Sequence, residues 1–416
     1  MDDVEVCGLA EDLAEFTAEV FAWLTRSGWQ ERAGQYLRGL MLDGRRKSIQ
    51  PMAGRMHAVN DQALNHFVTN SPWDVTAVRR QLARRLDPAI GPHAWAVDDT
   101  GWLKCGAASP CVTRQYTGTA GKVTNCQVGV SLNLVTDTAS CPVDWRLFLP
   151  ETWDPASRKA AGDVTERRSR ARIPRQVTHR EKWRLALDMI DEVIGWGLTP
   201  PLVVADAGYG DAAEFRQGLD DRGLTYVVGV AATHTAFTQD TQRSAPPYKG
   251  AGRRPPLIYR EPAPSLLKHL LAAGRHTACT VTWRDGSRRR GAKPSKLRSR
   301  FVFLRVRPAS NVHRRAVDFG DLPVRWLIAE WPPGEPEPTR YWLSNLPADT
   351  PHRTLVRLAK LRWRIEHDYR EVKTGLGLDH YEGRTWMGWH HHTTLVSAAH
   401  GFLTLQRLDP KTPAPA

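Results

Sequence analysis

The sequence predicts an α/β protein: a mixed sheet covered by helices, with a helical region before it and a β-rich insertion inside it. Three observations carry that expectation. Apolar residues recur at three- and four-residue spacing over residues 1–90, the period of an amphipathic helix. From Ala94 the pattern shortens to that of strands. The order then becomes three strands, helix, strand, helix, strand up to residue 230. After a further run of β-like segments, helical spacing resumes at His352. These shifts set expected divisions of 1–90, 91–230, 231–345 and 346–405, with a disordered Pro-rich tail over 406–416.

Leu13, Phe16, Val20 and Leu24 mark the first helix, and a second apolar run spans 33–41. DQALNHFVTN, the turn Ser71-Pro72-Trp73 and DVTAVRRQLARRL read as two short helices, the second bearing Arg79, Arg80, Arg84 and Arg85. That pairing fits a helix-turn-helix DNA reader. AWAVDD, NCQVGVSLNLVT and CPVDWRLFLP read as the first three strands. The basic stretch Arg158–Arg175 is expected to be an exposed loop, solvated or touching phosphate. HREKWRLALDMIDEVIGWG follows with helical period, then the strand PLVVAD ending at Asp206. DAAEFRQGLDDRG is a helix with Asp211 as its expected N-cap, and LTYVVGV is another strand. ACTVTW, RFVFLRVR, VRWLIAEW and TRYWLSNL supply the β-rich insertion. Acids sit at the ends of the first and fourth strands, and this order is that of an RNase H-like domain.

Lys plus Arg total 58 against 44 for Asp plus Glu, a formal charge of +14 over 416 residues. Such a chain attracts polyanions, nucleic acid foremost. Anionic membrane is the rival partner, but no segment approaches the ~18 uninterrupted apolar residues of a spanning helix. The start, MDDVEVCGLAEDLAEF, is acidic and lacks the basic opening of a secretory signal, so a cytoplasmic location is expected. Cys7, Cys105, Cys111, Cys126, Cys141 and Cys279 include no CxxC pair and are expected to be reduced thiols. His390, His391 and His392 point in three directions on a helix, so one ion cannot gather them. DNA contact or plain solvation is expected there.

The helix expected over 352–374 carries the most chemistry. Residues turn by about 100° each on a helix, so positions i, i+4 and i+11 nearly superimpose. Arg362, Glu366 and Lys373 have those offsets (366 − 362 = 4; 373 − 362 = 11) and form a plus-minus-plus stripe. Leu358, Leu361, Ile365, Val372 and Leu376 make an adjoining apolar stripe to pack on the sheet. A phosphodiester repels an anionic nucleophile. Two divalent cations held by a few carboxylates overcome that repulsion and steady the leaving oxygen. Acids from the first strand, the fourth strand and a late helix can meet for this purpose. Asp98 and Asp99 compete for the first place, and their opposite facing on a strand lets only one serve.

Val97-Asp98-Asp99-Thr100-Gly101, Val204-Ala205-Asp206-Ala207-Gly208-Tyr209-Gly210 and Arg362-Trp363-Arg364-Ile365-Glu366 with Lys373 resemble the three motif segments of insertion-sequence DDE transposases. Thr113-Arg114-Gln115-Tyr116 and the NCQVGVSL strand are similar to that family too. The likeness runs from about residue 60 to 405, and the 160-residue gap from Asp206 to Glu366 suits the branch with a β-strand insertion. The signature tyrosine of that branch falls at Ala359, a departure affecting the grip on DNA rather than the metal site.

The resemblance implies that Asp98, Asp206 and Glu366 are catalytic and hold two Mg²⁺ ions, with Mn²⁺ as a substitute. The pattern Asp-x-Thr favours Asp98 over Asp99. It also implies that Arg362 and Lys373 hold DNA phosphates. A homodimer would bind double-stranded DNA at the terminal inverted repeats, nick each end and join the freed 3′-OH to target DNA. A DNA-binding regulator without catalysis and a nuclease without strand transfer are the alternatives.

Overall fold

A computed structural model describes residues 3–248, 250, 252–255, 257–286, 296–309 and 320–409. In chain order it contains α1 (Asp3–Val20), α2 (Ser27–Met41), α3 (Ile49–Ala53), α4 (Asp61–Thr69), α5 (Val75–Ile90), β1 (Ala94–Leu103), β2 (Thr113–Thr117), β3 (Lys122–Val135), β4 (Ser140–Leu147), α6 (Val164–Arg170) and α7 (Lys182–Gly195). Next come β5 (Val203–Ala205), α8 (Ala207–Gly210), α9 (Ala213–Asp221), β6 (Tyr226–Val230), β7 (Ala236–Thr238), α10 (Leu266–Ala273), β8 (Cys279–Asp285), β9 (Lys296–Pro308), β10 (Arg325–Glu330) and β11 (Arg340–Ser344). Three helices close the chain: α11 (His352–Leu361), α12 (Trp363–Thr374) and α13 (Trp386–Leu408). The expected α/β class is the one found. The chain forms two compact units, residues 1–200 with 363–416, and residues 201–362.

In the first unit β3 is the central strand. β1 runs antiparallel along one of its edges, while β2 and β4 pair with its two halves. Over this sheet lies α13, whose side chains are buried for most of its length against β4, α2, α4 and α5. Trp102, Trp145 and Trp389 meet edge-on in that core. Gly129 makes the cluster possible, because a Cβ there would come within 2.7 Å of both the Trp102 and Trp389 rings.

Several expected surface groups belong to this core. His391 contacts Val68 O at 2.8 Å and Trp73 O at 3.1 Å and stacks on the Trp73 ring. His392 meets the Tyr36 hydroxyl at 2.9 Å, and His390 lies against Arg79. All three histidines are buried, so neither DNA contact nor solvation is their role. Burial depresses the pKa of His391 and His392 to about 4, which keeps them uncharged at neutral pH. The helices α4 and α5 form as expected, but α5 packs on α13 and β4. Its Arg79 is buried, bonded to Asp144 at 2.9 Å and to Trp145 O at 2.8 Å. Arg84 donates to Trp196 O at 2.9 Å and Arg85 pairs with Glu19 at 3.1 Å.

The stretch expected as an exposed loop over 158–175 contains α6. Asp163 caps that helix by accepting from Glu166 N at 2.9 Å. Arg168 is buried there and donates to Trp153 O, Pro174 O and Val177 O at 2.7–3.0 Å. A basic run thus hides one arginine that satisfies three carbonyls, a use that composition does not reveal.

In the second unit the strands are ordered β5-β6-β11-β10-β9-β7, with β8 also on β9. Among the described strands of this unit β5 and β6 run parallel, and the pairs β6–β11, β11–β10, β10–β9, β9–β7 and β9–β8 are antiparallel. The expected insertion strands therefore extend the β6 edge through β11. Val302, Val306, Leu327, Ala329, Leu343 and Leu270 fill their core. Ala212 precedes α9 as its N-cap residue, and Asp211 instead follows α8. Residues 410–416, most of the expected tail, lie outside the described residues, and α13 continues to Leu408.

Candidate active site

Asp98 is buried near the middle of β1 and accepts from the backbone N–H of Asp99 at 2.8 Å. The strand register fixes the direction of its side chain. Asp98 pairs with Ser131 across the antiparallel β1–β3 ladder, and directly opposed residues share a face of the sheet. Ser131 Oγ lies 2.6 Å from the hydroxyl of Tyr369 on α12. Asp98 is therefore on the sheet face covered by α12, the helix that also carries Glu366. Asp99 turns the other way, where its carboxylate pairs at 2.9 Å with Lys182 at the start of α7.

The single helix expected over 352–374 is two helices. Arg362 closes α11, and α12 starts at Trp363. Glu366 lies exposed in the first turn of α12, where the positive end of the helix dipole favours an acid. Lys373, two turns later, donates to Gly101 O and Thr119 Oγ1, both at 2.9 Å. Burial outweighs the nearby Asp379 and lowers its pKa to about 8. Leu358, Leu361, Ile365, Val372 and Leu376 are all buried as expected, but they divide between α11, α12 and the segment after it rather than forming one helical stripe.

α12 itself carries a group the sequence did not single out. His367, Asp368 and Glu371 bring possible ligand atoms within 4.8 Å of one another. Their charges already have partners: Arg364 pairs with Asp368 at 3.4 Å, and Arg407 of α13 pairs with Glu371. Burial pushes Asp368 up. Burial acts the same way on Glu371, but His400, 3.9 Å away, and the bonded Arg407 overcome it and hold that carboxyl far below its usual range. The Arg364–Asp368 pair lies within α12, and the Glu371–Arg407 pair fastens α12 to α13.

Asp206 and Arg362 belong to the second unit. Asp206 follows β5 and caps α8, accepting from Gly208 N at 2.9 Å. The chain behind it is close: a Cβ on Gly229 of β6 would lie 2.9 Å from Ala207 N. Asp211, at the other end of α8, accepts from Ala231 N at 2.7 Å and meets His234 Nε2 at 2.8 Å. Tyr369 and Ser131 are the site neighbours that sequence reading missed. The i, i+3 spacing of Tyr369 from Glu366 was visible, but the Asp98–Ser131 register was not.

A family model described as "DDE superfamily endonuclease" matches residues 19–290. The chain belongs to the DDE superfamily of endonucleases. The matched span includes Asp98 and Asp206 and ends before Glu366. Divalent metal ions serve DDE superfamily enzymes, and carboxylates are the side chains suited to holding them. The DDE chain is also 32% identical over 199 residues to a "probable transposase for insertion sequence element IS701" of Microchaete diplosiphon, covering 47% of each protein. The chain thus matches about half the length of that curated relative. Among the described residues no helix is long and apolar enough to cross a membrane.

Proposed function

We propose that this protein is the transposase of an insertion sequence, cutting DNA at the element's terminal inverted repeats and joining the freed ends to target DNA. The observation that carries the reading is the shared placement of Asp98 and α12: Asp98 lies on the sheet face covered by the helix bearing Glu366, while Asp99 is engaged by Lys182. The likeness to an insertion-sequence transposase points the same way.

Asp98, Asp206 and Glu366 are the proposed catalytic acids and the ligands of two Mg²⁺ ions, with Mn²⁺ as a substitute. Their all-oxygen donor set suits a hard cation that retains waters. When bound, the ions activate the attacking water or 3′-OH and stabilise the leaving oxygen. Asp98 is fixed by its strand, and Glu366 by the network holding α12. Lys373 and Arg362 attract DNA phosphates. The proposed assembly is a homodimer on double-stranded DNA, working in the cytoplasm on the nucleoid. The helical region over 1–90 and the basic loops recognise the ends, and the β-rich insertion shapes the site.

The test is Mg²⁺-dependent cleavage of labelled DNA carrying the gene's flanking ends, using wild type, Asp206→Asn and Glu366→Gln. Cuts at the element boundary by wild type alone are expected. Tight binding without cuts in either Mg²⁺ or Mn²⁺ would replace this reading with that of a non-catalytic DNA binder.

A further inference from the structure

The β2–β3 hairpin presents a surface that the acidic site does not use. Residues 104–136 contain Lys104, Arg114 and Lys122 and no Asp or Glu. Within the hairpin, Tyr116 pairs directly with Val123. Both are open to solvent, at 62% and 55% exposure. Alternation along β3 from Ser131 to Val123 puts this pair on the Asp98 face of the sheet, together with the exposed Arg114.

The hairpin is tied to the strand that carries Asp98. Thr119 Oγ1, in its turn, accepts from Gly101 N at 3.1 Å and from Lys373 Nζ at 2.9 Å. Thr117 is buried so close to Gly101 that a Cβ there would fall 2.0 Å from Thr117 Oγ1. Gly101 follows Asp98 by three residues on β1. The exposed ring is thus carried on a hairpin anchored beside the candidate site.

We infer that Tyr116 is a base-stacking residue, laying its ring on an unpaired nucleobase of the bound DNA while Arg114 meets a neighbouring phosphate. This rests on the DNA-cleaving reading above. An aromatic face accepts any base, and the exposed Arg114 on the same face of the hairpin favours a polyanion over an apolar protein partner. Val123 supports the ring from the adjacent strand.

The experiment titrates the full chain into a blunt DNA duplex and into the same duplex with a single-stranded overhang containing 2-aminopurine. Ca²⁺ replaces Mg²⁺ to suppress cutting. Tyr116→Ala is expected to weaken overhang binding by roughly tenfold and to remove the 2-aminopurine quenching, with blunt-duplex affinity kept within about twofold. Tyr116→Trp is expected to retain both signals. Overhang binding by Tyr116→Ala equal to wild type would overturn the inference, as would an equal loss on both DNA forms. Wild type that binds neither form would overturn the DNA reading and this inference together. Wild-type binding with no effect of Tyr116→Ala would overturn the inference alone.

Discussion

The Tyr369 hydroxyl lies 2.6 Å from Ser131 Oγ, and Ser131 is the cross-strand partner of Asp98. Asn133 Nδ2 donates to the same Ser131 oxygen at 2.8 Å. This chain of polar contacts pins α12 to the sheet at the Asp98 position. Tyr369→Phe removes one hydrogen bond and keeps the ring. It should cost about 1 kcal/mol of stability and raise several-fold the Mg²⁺ concentration needed for half-maximal cleavage, with KM for DNA unchanged. A metal titration matching wild type would limit the contact to a stabilising role.

Asp98 and Asp99 are adjacent in sequence and opposite in consequence. Asp98→Asn should lower cleavage by roughly 10²–10³-fold or more, since loss of the proposed metal ligand would remove several kcal/mol of transition-state stabilisation. Asp99→Asn breaks the partly exposed pair with Lys182, and should cost at most about 1 kcal/mol of stability with cleavage within a few-fold of wild type. Parallel rate and melting measurements check both. The reverse ranking would give the first metal place to Asp99.

Lys373 supplies a pH dependence. Burial lowers its folded pKa from the ordinary 10.5 to about 8. Between those values the unfolded chain holds the extra proton, so this group's contribution to stability rises with pH across that window. Below about 8 both states are charged, and the cost of burying the charge is fully present. DNA affinity should move the opposite way, because attraction to phosphate fades as the ammonium is lost. DNA titrations from pH 7 to pH 9 should show a decline that Lys373→Arg suppresses. An identical decline in Lys373→Arg would assign the pH effect to another group.

Arg79 lies in a basic helix yet works inside the protein. Arg79→Ala leaves Asp144 buried with Arg146 as its remaining ionic partner, and should cost about 3 kcal/mol in denaturant unfolding. The salt dependence of DNA binding by the folded variant should keep its wild-type slope. A slope reduced by about 0.9, the worth of one phosphate contact, would return Arg79 to the DNA surface.

Local pattern accounts for much of what could be read from the residues. The strands β1, β3, β4, β5 and β6 and the α4–α5 pair follow from apolar or alternating runs and from helical spacing, whereas β2 is not legible as a strand. Burial of cations and imidazoles does not. Arg168, Arg79 and His391 look like surface groups in a list of residues, and become interior ones because backbone carbonyls and Asp144 await them in the fold. For the site, the Asp-x-Thr pattern favoured Asp98, and only the pairing of Asp98 with Ser131 and of Asp99 with Lys182 gave that choice a spatial reason. Tyr369 could not be joined to Asp98 without knowing which strand residue stands opposite.

The buried helix α13 has a consequence for the order in which the protein is made. It fills the core formed with α2, α4, α5 and β4, yet it starts 186 residues after Pro200 (386 − 200 = 186). At ~5–20 residues per second, a ribosome needs roughly 10–40 s to cover that interval. During it the second unit emerges in full, while the earlier part still lacks the helix that closes its interior. The part of the protein made first therefore cannot close its core until the last helix has been made.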